Sequence, residues 1–90
     1  MLIPVRSSRF KRDVKTIKKR GKDLKKLKVL LSMLIRQDQL PATYRDHPLR
    51  GIWKNYREAH VEPDWLVIYR IKEDELHLVR TGSHSDLFEE

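Results

Sequence analysis

Glu62-Pro63-Asp64-Trp65-Leu66-Val67-Ile68-Tyr69-Arg70-Ile71-Lys72-Glu73-Asp74 is the stretch that decides the architecture. Its ends, Glu62-Pro63-Asp64 and Lys72-Glu73-Asp74, are turn sequences, and Trp65 to Ile71 between them is nearly continuous apolar and β-branched sequence. A strand with no polar face to offer water is expected at the centre of a sheet, covered on both sides. On one side of it, Ile52 to Val61 reads as a preceding strand. On the other, Glu75 to Thr81 reads as a following one, with Leu76 and Leu78 inward and His77 on the solvent side. Gly82 ends that strand, and Ser83 to Phe88 has the length of one short helical turn.

Upstream the period changes from two to about 3.6. Leu2 to Arg6 predicts a short strand, and Ser7 or Ser8 can then cap a helix by accepting from its free N–H groups. Phe10, Val14 and Ile17 form its buried stripe, Lys18, Lys19 and Arg20 suit its negative end, and Gly21 can terminate it. Asp23 is the candidate cap of a second helix, whose seam is Leu24, Leu27, Leu31 and Leu34, widened by Leu30 and Ile35. So short a link makes the two helices a hairpin. Leu40-Pro41 ends the pattern, and Ala42 to Gly51 reads as loop. The expected class is α+β, in the order β-α-α-β-β-β, with the hairpin packed on one face of a small twisted antiparallel sheet. Residues 1–90 read as a single domain, without repeats, low-complexity segments or linkers.

Composition narrows the chemistry. There is no cysteine, so disulfides, thiolate metal sites and a cysteine nucleophile are excluded. No apolar run approaches the roughly 20 residues of a membrane helix, and the first residues are too soon interrupted for a signal peptide, so a cytoplasmic protein with no membrane partner is expected. The formal net charge is +7, and Lys11 to Lys28 alone holds ten Lys or Arg against Asp13 and Asp23. Lysines that merely solvate helix faces would give the same count, but an excess of one sign also attracts polyanions without specifying their sequence.

The groups able to transfer protons gather near the strand ends. His60 and Asp64 flank the first turn and could meet across it, which would hold the imidazole and favour its charged form. His47, before Pro48, and His84, after Gly82, lie in loops rather than in an apolar stripe. Arg80 could hold a phosphate, Lys54 adds charge, and Tyr56, Trp65 and Phe88 could stack on bases. The competing reading is sheet core, which is favoured for Trp53 and Tyr69 and stands level with stacking for Trp65. Histidines with a carboxylate suit RNA cleavage because the 2′-hydroxyl supplies the nucleophile. The protein then needs only a base for that hydroxyl, an acid for the departing 5′-oxygen, and positive charge for the transition state. A zinc site built from the three histidines and Asp64 is the chemical competitor, set aside because Pro63 breaks a helical spacing of His60 and Asp64. A basic module that binds RNA without cutting it is the competitor from another class.

Three stretches carry a family resemblance. They are Asp46-His47-Pro48-Leu49-Arg50-Gly51, the run from Trp53 to Trp65 containing Tyr56-Arg57-Glu58-Ala59-His60-Val61-Glu62-Pro63-Asp64, and Arg80-Thr81-Gly82-Ser83-His84-Ser85-Asp86-Leu87-Phe88. In this order they resemble the RelE superfamily of bacterial toxins, most closely its YafQ branch. The resemblance implies the microbial-ribonuclease-like fold and an endoribonuclease that cuts messenger RNA in the ribosomal A site, leaving a 2′,3′-cyclic phosphate and a 5′-hydroxyl. It implies a catalytic set of His47, His60, Asp64 and His84, with Arg80 on phosphate and Trp65 and Phe88 alongside; no cofactor or metal is expected. His84 becomes the general acid, while the base stays between His60, assisted by Asp64, and His47. The implied partners are the ribosome, messenger RNA and an acidic antitoxin, which carries the complex's contact with operator DNA.

Overall fold

A computed structural model describes residues 1–88. Its elements are β1 (Ile3–Arg6), α1 (Ser8–Lys19), α2 (Leu24–Arg36), a 3-10 turn at Ala42–Tyr44, β2 (His47–Pro48), a second 3-10 turn at Gly51–Trp53, β3 (Arg57–Glu62), β4 (Trp65–Lys72), β5 (Glu75–Gly82) and α3 (His84–Phe88). The strands form one sheet in the order β1-β5-β4-β3-β2. The helical hairpin, the last two long strands and the final turn agree with the sequence expectation.

Local chemistry sets the helix ends. Ser7 Oγ accepts the N–H of Phe10 at 2.9 Å and donates to the carbonyl of Val79 at 2.8 Å, so one hydroxyl both caps α1 and ties it to β5. Asp23 caps α2 by accepting the N–H of Lys25 at 2.9 Å. Gly21 lies at φ +82°, a conformation that side chains disfavour, and this reverses the chain between the helices. Phe10, Ile17, Leu27, Leu30 and Leu34 then pack with Ala59, Trp65, Val67, Tyr69, Leu76 and Leu78 in one core. Each Leu, Ile, Val or Phe among them contributes about 1.5–3 kcal/mol through apolar area removed from water.

Three expectations need correction. The sheet is antiparallel from β2 to β5, but β1 joins β5 in parallel, with Ile3 opposite Glu75 and Arg6 opposite Leu78. The helical hairpin carries the chain from β1 at one edge of the sheet to β2 at the other, and β3 and β4 lead it back to β5 beside β1. Ile52 to Val61 is not one strand, because positive φ angles at Gly51 (+67°) and Asn55 (+78°) turn the chain before β3 begins at Arg57. The segment read as loop contains β2, which pairs His47 with Glu58 and Pro48 with Arg57. Two residues are too few to show a period.

Register decides which side chains share the open face. Directly paired residues point the same way, so Glu58 lies with Ile68 and Arg80, and His60 with Leu66 and Gly82. Arg80 is there because Val79 is an extra residue in β5: the pairing passes from Leu78–Tyr69 to Arg80–Ile68. Without that bulge Arg80 would follow Leu76 and Leu78 onto the helix face. Leu66, Ile68 and Leu87 form a smaller cluster on the open side, with Leu49, Trp53, Tyr56, Val79 and Phe88 against it.

Candidate active site

His47, His60 and His84 stand in a row on the open face. Ring centroids are 6.1 Å apart for His47 and His60 and 5.8 Å for His60 and His84, and Phe88 lies 6.3 Å beyond His84. Three chain segments supply them: β2, β3 and the first residue of α3.

His84 is held most closely. Ser83 and Asp86 form a reciprocal cap of α3: Ser83 N–H donates to Asp86 Oδ2 at 2.9 Å, and Asp86 N–H donates to Ser83 Oγ at 3.1 Å. Arg20, the C-cap of α1, donates to Asp86 Oδ1 at 3.0 Å and, with the Ser83 bonds, holds that carboxyl well below the usual range. The N–H of His84 donates to Asp64 Oδ1 at 2.9 Å, and ring Nδ1 lies 2.6 Å from the same oxygen. These two bonds, the backbone one foremost, lower the Asp64 carboxyl from its ordinary value. An ionised Asp64 can only accept, so Nδ1 carries hydrogen and Nε2 is left to face a substrate.

His60 does not pair with Asp64. It pairs in register with Leu66, Glu62 closes the hairpin opposite Trp65, and Asp64 sits in the turn itself, from which it reaches His84. His60 is 7% exposed, with Nδ1 3.3 Å from the Pro63 carbonyl and Nε2 3.5 Å from Glu58 Oε1. The same Glu58 oxygen lies 2.8 Å from His47 Nε2, whose other nitrogen is 2.6 Å from the Arg45 carbonyl. His47 thus lies between two acceptors, so both contacts are hydrogen bonds only if its ring or Glu58 carries an extra proton. Next to it, Asp46 accepts from the Tyr69 hydroxyl and, at 3.0 Å, from Arg57, which fixes the loop that carries His47. Burial, with that bond second, pushes the Tyr69 hydroxyl up.

Glu58 is the residue of this cluster that the sequence reading did not single out. It is 6% exposed, and its Oε2 has no hydrogen-bond partner. The signal was present as Glu58-Ala59-His60: two polar residues at alternate positions of a strand, both facing one side. Of the remaining candidates, Phe88 adjoins His84 and Lys54 is exposed. Tyr56 packs edge-on against Trp53 at 5.6 Å, with Arg70 5.5 Å over its ring. Trp65 is 0% exposed and donates from Nε1 to Thr81 Oγ1 at 3.0 Å, so it is core and cannot stack on a base. Arg80 shares the open face but is tied to Asp13 of α1, Nε to Oδ2 at 2.7 Å. A cavity of about 570 Å³ beside His60 is lined by Lys26, Tyr44, Arg45 and Glu62 among others, so cations border the site on its α2 side.

A donor set for a metal is present, though not the one expected. Ligand atoms of His47, Glu58 and His60 lie within 4.8 Å of one another, while His84 and Asp64 stand outside the group.

A family model described as the bacterial toxin of type II toxin–antitoxin systems, YafQ, matches residues 3–89. The chain belongs to the YafQ toxin family. A relative in Escherichia coli (strain K12), named mRNA interferase toxin YafQ, is 52% identical over 83 residues, spanning 91% of this chain and 90% of its own. Among solved structures, the E. coli DinJ–YafQ complex matches this YafQ-family chain with a TM-score of 0.90 and 48% identity, covering 98% of it and 99% of the matched chain. A metal-bound toxin from Helicobacter pylori matches with a TM-score of 0.92 and 46% identity, over 98% and 100%.

Proposed function

We propose that this YafQ-family toxin is an mRNA interferase, acting in the cytoplasm on ribosome-bound message by acid–base transesterification. The observation that carries this reading is the fixation of His84 by Asp64 through both backbone and ring, opposite the Glu58–His60 pair. His60 Nε2, backed by Glu58, takes the proton of the 2′-hydroxyl. The 2′-oxygen bonds to phosphorus, the P–O5′ bond breaks, and the leaving 5′-oxygen receives its proton from His84 Nε2. The products are a 2′,3′-cyclic phosphate and a 5′-hydroxyl. His60 is preferred to His47 as base because its Nε2 stands 3.5 Å from Glu58 Oε1, against 2.8 Å for His47 Nε2, so its lone pair is the less committed of the two. His47, between two acceptors, and Arg80 supply positive charge to the phosphorane-like transition state. Phe88 and Tyr56 are the faces offered to bases, and Lys54 contributes charge at the rim.

The E. coli relative seen with DinJ supports an antitoxin partner for this chain. An acidic segment would find a surface of opposite sign here, given a net charge of +7. The test is to express the chain alone and as His84→Ala, and to map message ends. Cleavage with cyclic-phosphate ends by the wild type and none by the variant is expected. Tight ribosome binding without any cut ends would favour the RNA-binding module instead.

The His47–Glu58–His60 group favours a second occupant of the same face. Two imidazoles and a carboxylate with a buried unpartnered oxygen suit a zinc or copper ion, and the H. pylori relative is described as metal-bound. An ion there would occupy the lone pair that His60 needs as a base. Added zinc is therefore expected to inhibit and chelator to restore the rate; a rate that rises with zinc would contradict this.

A further inference from the structure

Helix α1 meets the far end of β5 through Asp13. β1 stops pairing at Arg6, opposite Leu78, so beyond it the edge of β5 is met by side chains, Ser7 Oγ at the Val79 carbonyl and then Asp13. There Arg80 meets Asp13: Nε donates to Oδ2 at 2.7 Å, Nη2 to Oδ1 at 3.2 Å, and the Thr81 N–H also donates to Oδ2 at 3.1 Å. Both side chains are 14% exposed, more enclosed than either partner of Arg36–Asp38 or Lys26–Glu62.

We propose that Asp13 is a positioning residue that aims Arg80 at the phosphate, an inference resting on the transesterification reading above. A guanidinium has five N–H donors in a rigid fork. Asp13 takes Nε and part of Nη2, which fixes the plane and leaves the Nη1 end for a phosphate oxygen. Arg80 lies in the same cross-strand row as Ile68 and Glu58, two strand spacings or about 10 Å from Glu58. A diester between the histidines and β5 therefore bridges base and arginine. The carboxylate offsets the arginine's charge at long range, so the pair adds little general attraction for RNA, while the Nη1 N–H groups still donate to an oxygen in contact. What it adds is direction. Loss of the charge on Asp13 should then lower the rate without weakening binding.

The test is single-turnover cleavage of programmed ribosomes by wild type, Asp13→Asn, Asp13→Glu, Arg80→Ala and the Asp13→Asn/Arg80→Ala double variant, each first checked by thermal melting. Asp13→Asn should lower the maximal rate about tenfold with an unchanged or lower half-saturating concentration. Asp13→Glu, which keeps the charge, should recover most of it. The double variant should be no slower than Arg80→Ala. An Asp13→Asn variant that melts lower but cleaves at the wild-type maximal rate would make Asp13 merely structural. A double variant slower than Arg80→Ala by the full factor would show that Asp13 acts apart from Arg80. In either case the reaction scheme stands. Arg80→Ala cleaving at the wild-type rate would instead refute the phosphate role of Arg80, and this inference with it.

Discussion

Replacing Glu58 by glutamine should separate stability from activity. The side chain is 6% exposed, and Oε2 finds no partner. A buried unsatisfied polar atom costs about 1–3 kcal/mol, and more when charged. Against this stands the contact with His47, 2.8 Å away on a side chain 48% exposed, where a half-solvated pair contributes about 0–1 kcal/mol. Glutamine keeps the volume, removes the charge and can offer its amide N–H groups to either histidine. The balance predicts an unchanged or higher stability, up to about 1 kcal/mol, or about 4–8 °C in Tm for a domain of this size. The cleavage rate should move the other way. A group that supports the base through His60 accounts for about 10²-fold, the lower end of what general acid–base groups supply. Urea denaturation and single-turnover cleavage on the same preparations measure both. Wild-type cleavage, or a loss of more than 2 kcal/mol of stability (an estimate on the scale of about 1–3 kcal/mol above), would refute the reasoning. A stability loss of that size would mean that this carboxylate is there to hold the sheet together.

Other consequences follow from the same geometry. Asp64→Asn keeps a carbonyl for the His84 N–H but loses the charge-assisted bond to the ring, so cleavage should slow about tenfold with the melt unchanged; circular dichroism and end mapping check it. Leu30 is fully buried under the sheet, and Leu30→Ala should destabilise by about 2–5 kcal/mol in urea titration. The Asp86 carboxyl is held below its ordinary value by Arg20 and Ser83. A lowered folded-state pKa stabilises above the unfolded value near 3.9 and is lost as pH falls through the folded one. The acid limb of a Tm-versus-pH curve should therefore flatten in Asp86→Asn.

Much of this was legible because the periods are strong. Trp65 to Tyr69 announced a central strand, and Leu24, Leu27, Leu31 and Leu34 a helix seam. The row of histidines was visible as residues but not as a geometry. Asp64 was assigned to the wrong histidine because a two-residue turn, with Val61 an extra residue in β3 beside it, changes which side chains meet, and no alternation pattern encodes that. Trp65 could not be placed from sequence either: an indole beside a turn can face base or core, and the choice rests on Thr81 accepting its N–H from the neighbouring strand. The link between Asp13 and Arg80 joins positions 67 residues apart, set by a bulge that leaves no composition signal.

The central claim is that His84 gives the leaving 5′-oxygen its proton, and a message with sulfur in place of the bridging 5′-oxygen at the cleavage site tests it most directly. A thiolate departs without a proton, so the acid has nothing to contribute. On the ordinary message His84→Ala should be slower than wild type by about 10²–10⁴-fold. On the sulfur-bridged message the two should cleave at nearly the same rate. A variant that remains as slow on the sulfur-bridged message would show that His84 does some other work, and the assignment of the acid would fall.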